Sequence, residues 1–311
     1  MAQCAPSSDS PSQYLYDGLV QHGLLLPLGV KGAFGYSGIF EQLIELFNKR
    51  IDAVAQHDGA EIRAFPPIIS RNVLERHGYL DSFPHLCGSV FSFSGSEAES
   101  RVMAHRAAAG QSWGEYQSMT DVALTPAICY PLYPTLSGTI PAAGRLFSLL
   151  GWAYRNEPSD EPTRMQSFRM REFVHVGTLE QVSVWRDVWL RRGMTLLTEL
   201  GLDARAELAS DPFFGRGGRM LATNQKEQRL KYEILVPITS TTKPTAVCSF
   251  NLHLDYFGSK WQIRTENGEF ASTACLGFGL ERVVIALLHT HGFDPGTWPT
   301  AVRALLWPVN R

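Results

Sequence analysis

From Ser37, the segment SGIFEQLIELFNKRIDAV sets Phe40, Leu43, Ile44, Phe47, Ile51 and Val54 at helical spacing, which predicts a long helix with one apolar face. The apolar run IRAFPPII follows. Its Pro66-Pro67 pair has no place in a central strand and marks an edge or a bend. Glu97 to Ala109 reads as a helix closed by Gly110. Thr178-Leu179-Glu180-Gln181 has the form of a capping box. The helix it opens is expected to run to Gly201, with Gly193 weakening a single continuous rod. KYEILVPI (231–238) and TAVCSFNLHLDYF (245–257) are β-branched and aromatic with partial alternation, and read as strands. Gly279 to Leu288 is apolar nearly all round, the mark of a buried helix. Helices and strands mix without a regular βαβ beat. The pattern predicts an α+β fold built on a largely antiparallel sheet.

The chain has 311 residues, enough for one large domain or two ordinary ones. Hydrophobic residues make up 44% and include 7 Trp, 10 Tyr and 17 Phe, which excludes a disordered chain. No apolar run approaches the roughly 18 residues of a membrane span. The net charge of −2 argues against electrostatic capture of nucleic acid, which needs a clustered basic excess. Five cysteines, widely spaced and without a CxxC pair, fit a reduced cytoplasmic setting better than a disulfide framework. The polar start MAQCAPSSDSPSQ lacks the basic and apolar regions of a signal peptide and is read as a frayed tail over 1–13.

Three stretches carry candidate chemistry. Tyr154-Arg155-Asn156-Glu157, a turn-rich loop and RMQSFRMREF (164–173) place arginines on both sides of a loop. Guanidinium forks there suit clamping an anion, and equally suit a solvated surface hairpin. Gly277-Phe278-Gly279-Leu280-Glu281-Arg282 enters a helix. It lacks the third glycine of a dinucleotide fingerprint and fits either close ligand approach or a tight packing turn. Cys129, Glu172 and Cys275 are scattered potential metal ligands, although a lone cysteine is most often a buried hydrophobe.

Taken in order, these pieces resemble the three signature motifs of class II aminoacyl-tRNA synthetases. The helix at 38–55 with AFPPII resembles motif 1, with Pro66 at the dimer-interface proline. Arg155-Asn156-Glu157, the loop and Arg164 to Phe168 match the fRxE–loop–RxxxF of motif 2. Gly277 to Arg282 match the GxGxxR of motif 3. The closer resemblance, over roughly residues 15–310, is to the amino acid:carrier protein ligases, which are similar to the core of the atypical seryl-tRNA synthetases of methanogens.

That resemblance implies a class II synthetase-like antiparallel sheet flanked by helices, in a single domain over 14–311, and a homodimer. It implies ATP-dependent activation of a small amino acid, with glycine or alanine expected and serine open. Transfer would then go to the phosphopantetheine thiol of a carrier protein. It places zinc on Cys129, Glu172 and Cys275, with one tetrahedral position left for the substrate amino group. Arg155 and Arg282 are the implied catalytic cations at the phosphates. Glu157, Arg164, Met165 and Phe168 are implied around the nucleotide, with Lys231 and Ser249 as further ATP contacts. Mg²⁺ is expected with ATP. Glu233 and Asn251 are open either to a metal or to ordinary strand alternation. Carrier docking is expected on a helical insertion at about 178–210 through Arg186, Arg191 and Arg192, since carrier proteins are generally acidic. No tRNA-binding appendage is evident. A minimal tRNA-charging enzyme and a non-catalytic relative of the same fold are the alternative readings.

Overall fold

The computed structural model describes residues 10–308. Residues 1–9 of the expected tail lie outside them, and its last three residues fold. Helix α1 (Pro11–Gln21) begins where the Ser10 hydroxyl accepts from the Gln13 amide at 3.3 Å, with Pro11 in the first turn. Helix α2 (Gly38–Ala55) is the amphipathic helix the pattern predicts. Ser37 caps it, and Phe40, Leu43, Ile44, Phe47 and Ile51 are buried. Each such side chain contributes roughly 1.5–3 kcal/mol by leaving water. Helix α3 (Glu97–Ala108) carries a complete Ser96–Glu99 capping box and buries none of its residues. Ile68–Ser70, Gln117–Leu124 and Ser89–Phe93 form a small antiparallel sheet.

The main sheet has seven strands among the described residues: β1 (Glu61–Arg63), β2 (Arg145–Tyr154), β3 (Ser167–Gly177), β4 (Arg205–Leu208), β5 (Lys231–Val236), β6 (Thr245–Leu254) and β7 (Ser272–Gly279). Their spatial order is β4-β5-β6-β7-β3-β2-β1, antiparallel except for the parallel β1–β2 pair. The prolines at 66–67 follow β1 at the sheet edge, as a ladder that needs N–H donors requires. The strand expected over 245–257 stops at Leu254, and Tyr256 and Phe257 open a short helix.

Helix α4 (Leu179–Glu199) is continuous through Gly193. A Cβ at 193 would lie 2.9 Å from the Phe250 ring, so the glycine lets the helix cross close to β6. Val182, Trp189, Leu196 and Leu197 are buried, and Trp189 stacks on Phe173 of β3 at 5.0 Å. The 178–210 stretch is therefore built into the core as α4 and ends in the edge strand β4, with Leu179, Val184 and Arg191 on the exposed face of the helix. Helix α5 (Gly215–Glu227) follows. Helix α6 (Tyr256–Trp261) leads to β7, and α7 (Leu280–His291) buries both faces between α2 and the sheet. No helix among the described residues is long and apolar enough to cross a membrane.

His77, at the end of the short helix Arg71–Arg76, is buried among Tyr130, Phe257 and Trp261, and its Nε2 accepts from the Trp261 indole at 2.7 Å. Burial, with help from Lys260 and Arg76, pushes its pKa down to about 3 from 6.5. The folded state keeps this ring neutral, while the unfolded chain takes up its proton first as acid is added. Its contribution is therefore complete above about pH 6.5 and is lost between there and about pH 3, by up to about 1.4 kcal/mol per pH unit. Thermal unfolding of His77→Gln, which keeps an acceptor for Trp261, is expected to show a shallower loss of Tm across that window. An unchanged acid slope would refute this.

Candidate active site

Strands β3, β6 and β7 form the floor of a cavity of about 210 Å³. The antiparallel register sets Gly277 opposite Glu172 and Asn251 opposite Cys275. The glycine-rich run is thus a strand-to-helix junction with no loop: Gly277 to Gly279 end the buried strand β7, and Leu280 opens α7. A Cβ at Gly277 would stand 3.2 Å from the Glu172 side chain, so glycine here keeps the floor open.

Arg155 enters from the end of β2. Its Nε donates to the Pro126 carbonyl at 3.2 Å, and its guanidinium lies over the Phe168 ring at 5.5 Å. Arg282 comes from the first turn of α7. It donates to the Thr163 carbonyl at 2.8 Å and to the Ala246 carbonyl at 3.0 Å. Burial first, and then the Arg155 charge, lower its pKa from the usual arginine value. Arg155, Phe168, Arg282, Lys231 and Ser249 all line the cavity. None of the ion pairs among the described residues engages Arg155 or Arg282, and both line a cavity that an anion can enter, Arg282 with one Nη not bound to a carbonyl.

The remaining motif 2 residues are placed differently. Glu157 is half-buried, and Arg164 is exposed and paired with Glu161 at 3.4 Å. The Met165 side chain is sealed in the core, where its sulfur receives the Tyr36 hydroxyl at 3.3 Å, which leaves only its backbone for a ligand. Lys231 is not a free cation. It is buried and held by Asp211 and Glu233. Burial alone would lower its pKa, but the two carboxylates outweigh burial and raise it. Glu281 of the motif 3 run is wholly buried and receives both the backbone and the Nε of Arg169, which also pairs with Glu41 of α2.

The three scattered metal candidates meet at the inner end of the same cavity. Cys129, Glu172 and Cys275 are all buried. The neighbouring Cys129 outweighs burial and pulls the Cys275 pKa below the ordinary thiol value, with His253 adding to the fall. Cys275, then burial, push the Cys129 thiol up. Burial, then the neighbouring Cys275 charge, raise Glu172 to about 8. Among the described residues no three His, Cys, Asp or Glu side chains already stand spaced as metal ligands. The donor chemistry nonetheless fits a borderline-soft divalent cation. Two cysteine sulfurs and a carboxyl line the same cavity, and Glu172 Oε2 is buried with no hydrogen-bond partner.

Two cavity residues escape a reading of the sequence. Asp211 follows the edge strand β4, and its burial is outweighed by Lys231, which holds its carboxyl below the usual range. Nothing in its local sequence marks it. His253 lies 3.6 Å from the Cys275 sulfur through Nε2. The alternation Ser249, Asn251, His253 is its one available signal.

Of the expected docking arginines, Arg186 is buried, bound to Asp187 and the Arg229 carbonyl and stacked over Tyr232. It is a structural residue. Arg192 pairs with Asp58 at 2.8 Å and packs over Trp189. Arg191 alone of the three is exposed.

No protein-family model matches the chain. It is 43% identical to amino acid–acyl-carrier-protein ligase 2 of Bradyrhizobium diazoefficiens, over 98% of this chain and 90% of that protein. The chain belongs to this ligase family. Ligase 1 of the same organism is 41% identical, over 97% of the chain and 91% of that protein. The type-2 serine–tRNA ligase of Methanopyrus kandleri is more distant from this ligase, at 25% identity over 86% of the chain and 54% of its own length. The solved M. kandleri SerRS, in complex with A. aeolicus tRNASec, superposes with a TM-score of 0.81 at 22% identity, over 98% of the chain and 62% of that structure. The ligase therefore has the class II synthetase fold, an antiparallel sheet flanked by helices.

Proposed function

We propose that the ligase activates a small α-amino acid with ATP and passes the aminoacyl group to the phosphopantetheine thiol of a carrier protein. The observation that carries this reading is one cavity lined both by Arg155, Phe168 and Arg282 and by Cys129, Glu172 and Cys275. In the first step the amino acid carboxylate attacks the α-phosphorus of ATP and pyrophosphate leaves. Two fixed guanidiniums stabilise the charge that gathers there, without reorganising as it forms. Phe168, already under one guanidinium, offers a stacking face to adenine. Mg²⁺ would accompany the phosphates. In the second step the carrier thiolate attacks the acyl carbon and AMP leaves.

Cys129, Glu172 and Cys275 would hold Zn²⁺, which would supply a Lewis-acid site for the substrate amino nitrogen. Tyr130, Met170 and Phe257 crowd that end of the cavity, which supports glycine or alanine as substrate.

Carrier docking is better placed on α5 than on α4. Phe214, Met220 and Leu221 are exposed apolar residues at and on this helix, and Arg219 and Lys226 are exposed beside them. Gln225 ties the helix to Asp211 of the cavity wall at 2.8 Å. An acidic partner seated there would reach the cavity mouth. The decisive experiment offers each amino acid with ATP and asks whether label reaches a phosphopantetheinylated carrier protein or tRNA. Label on the carrier is expected, and label on tRNA alone would overturn the reading. Charge reversal at Arg191 or Arg219 is then compared in transfer and in pyrophosphate exchange. Arg219→Glu is expected to weaken transfer selectively, and Arg191→Glu to do so less.

The homodimer is proposed through the β1 edge. Ile39, Ile62, Leu150 and Trp152 are exposed apolar residues of α2, β1 and β2. Sedimentation of Ile62→Asp or Trp152→Asp is expected to shift the protein towards monomer. A dimer of unchanged strength in both variants would place the interface elsewhere.

A further inference from the structure

We propose that His253 is a fourth protein ligand of the metal site formed by Cys129, Glu172 and Cys275, filling the open position while no amino acid is bound. This rests on the zinc reading above and adds a residue to it. The first support is spacing. A nitrogen and a sulfur bound to one tetrahedral zinc at ordinary bond lengths stand about 3.6 Å apart. His253 Nε2 lies 3.6 Å from Cys275 Sγ. The second is orientation. A metal-bound imidazole is held by a hydrogen bond on its other nitrogen. His253 Nδ1 lies 2.9 Å from the Thr273 hydroxyl, and with Nδ1–H donating there the Nε2 lone pair faces the sulfur.

The third support is the backbone. The β6–β7 register shifts between Leu252 and Leu254, so His253 is the extra residue of a bulge. Leu254 beyond it has φ 53°, a left-handed conformation unfavourable for leucine. Bulges of this kind re-aim a side chain beside a site. Phe257 braces the ring edge-on at 5.0 Å. The consequence is functional. An incoming amino nitrogen must displace the imidazole or bind beside it, so His253 sets how tightly the substrate amine is held.

The test uses the full chain, loaded with zinc or with cobalt(II) as a spectroscopic substitute, as wild type and as His253→Gln, His253→Ala and Thr273→Val. Wild type is expected to bind one metal with the ligand-field bands of a four-coordinate site. The His253 variants are expected to change those bands and to lose more than the roughly 10–100-fold in zinc affinity typical of an outer-shell change. Thr273→Val, which removes only the orienting hydroxyl, is expected to lose about that smaller amount. Equal Tm of all metal-free proteins in chelator separates ligation from misfolding. If the His253 variants that pass this control bind zinc as wild type does and keep its cobalt spectrum, His253 only hydrogen-bonds Cys275 and the inference is overturned, with the zinc reading intact. If wild type takes up no zinc, the zinc reading itself fails and takes the inference with it.

Discussion

Arg282→Ala is expected to lower amino-acid-dependent exchange of pyrophosphate into ATP by roughly 10²–10³-fold, the scale of losing one preorganised donor at a developing charge. The guanidinium sits in the first turn of α7, with its Nε and one Nη anchored on the Thr163 and Ala246 carbonyls and the other Nη left for the cavity. That anchoring gives the substitution a structural cost as well. Two carbonyls lose a charged donor, on the order of 1–3 kcal/mol of stability. Activity and Tm must therefore be measured together. Arg282→Lys restores the charge and loses the fork, and it is expected to recover stability better than rate. Arg155→Ala is expected to be similarly damaging to rate, since Arg155 faces the same cavity. Near wild-type exchange in either alanine variant would remove these cations from the chemistry.

Cys275→Ala is expected to abolish zinc uptake and adenylate formation together. Cys275 and Cys129 are the two buried sulfurs that line the cavity. Removing the Cys275 sulfur takes away one of three donors and leaves one thiol and one carboxyl, fewer protein ligands than the three of a catalytic zinc site. Metal analysis of the purified variant decides this. Full zinc in an active Cys275→Ala protein would sink the proposed role, and zinc loss with full activity would make the metal structural only.

Elements with strong periodicity or explicit caps are legible in the amino-acid sequence alone. The apolar stripe of α2, the capping box of α4 and the all-apolar run of α7 depend on local chain physics. Gly193 is ambiguous for the opposite reason. Its place in α4 depends on the Phe250 ring, 57 positions later in the chain, and no local rule reports that contact. The glycine-rich run is ambiguous in the same way. A turn and a buried strand crowded by Glu172 both call for glycine, and only the register of β7 against β3 separates them.

The arginines divide along the same line. Their residue type announces charge, but not whether that charge faces a ligand or another side chain. Arg155 and Arg282 face a cavity, whereas Arg186 is sealed against Asp187 and Tyr232. Lys231 is implied at ATP by the family resemblance; it lines the cavity, held there by Asp211 and Glu233.

By itself, then, the sequence determined the family and the fold class and named Cys129, Glu172 and Cys275 as candidate donors, because motif order and side-chain chemistry are properties of the chain. Tertiary structure alone decided which charges are spent on internal partners and which helix leaves Met220 and Leu221 exposed. It also decided that a one-residue bulge turns His253 onto Cys275. Those outcomes depend on register and on contacts between residues far apart in the chain, where a shift of a single position moves a side chain to the other face of the sheet.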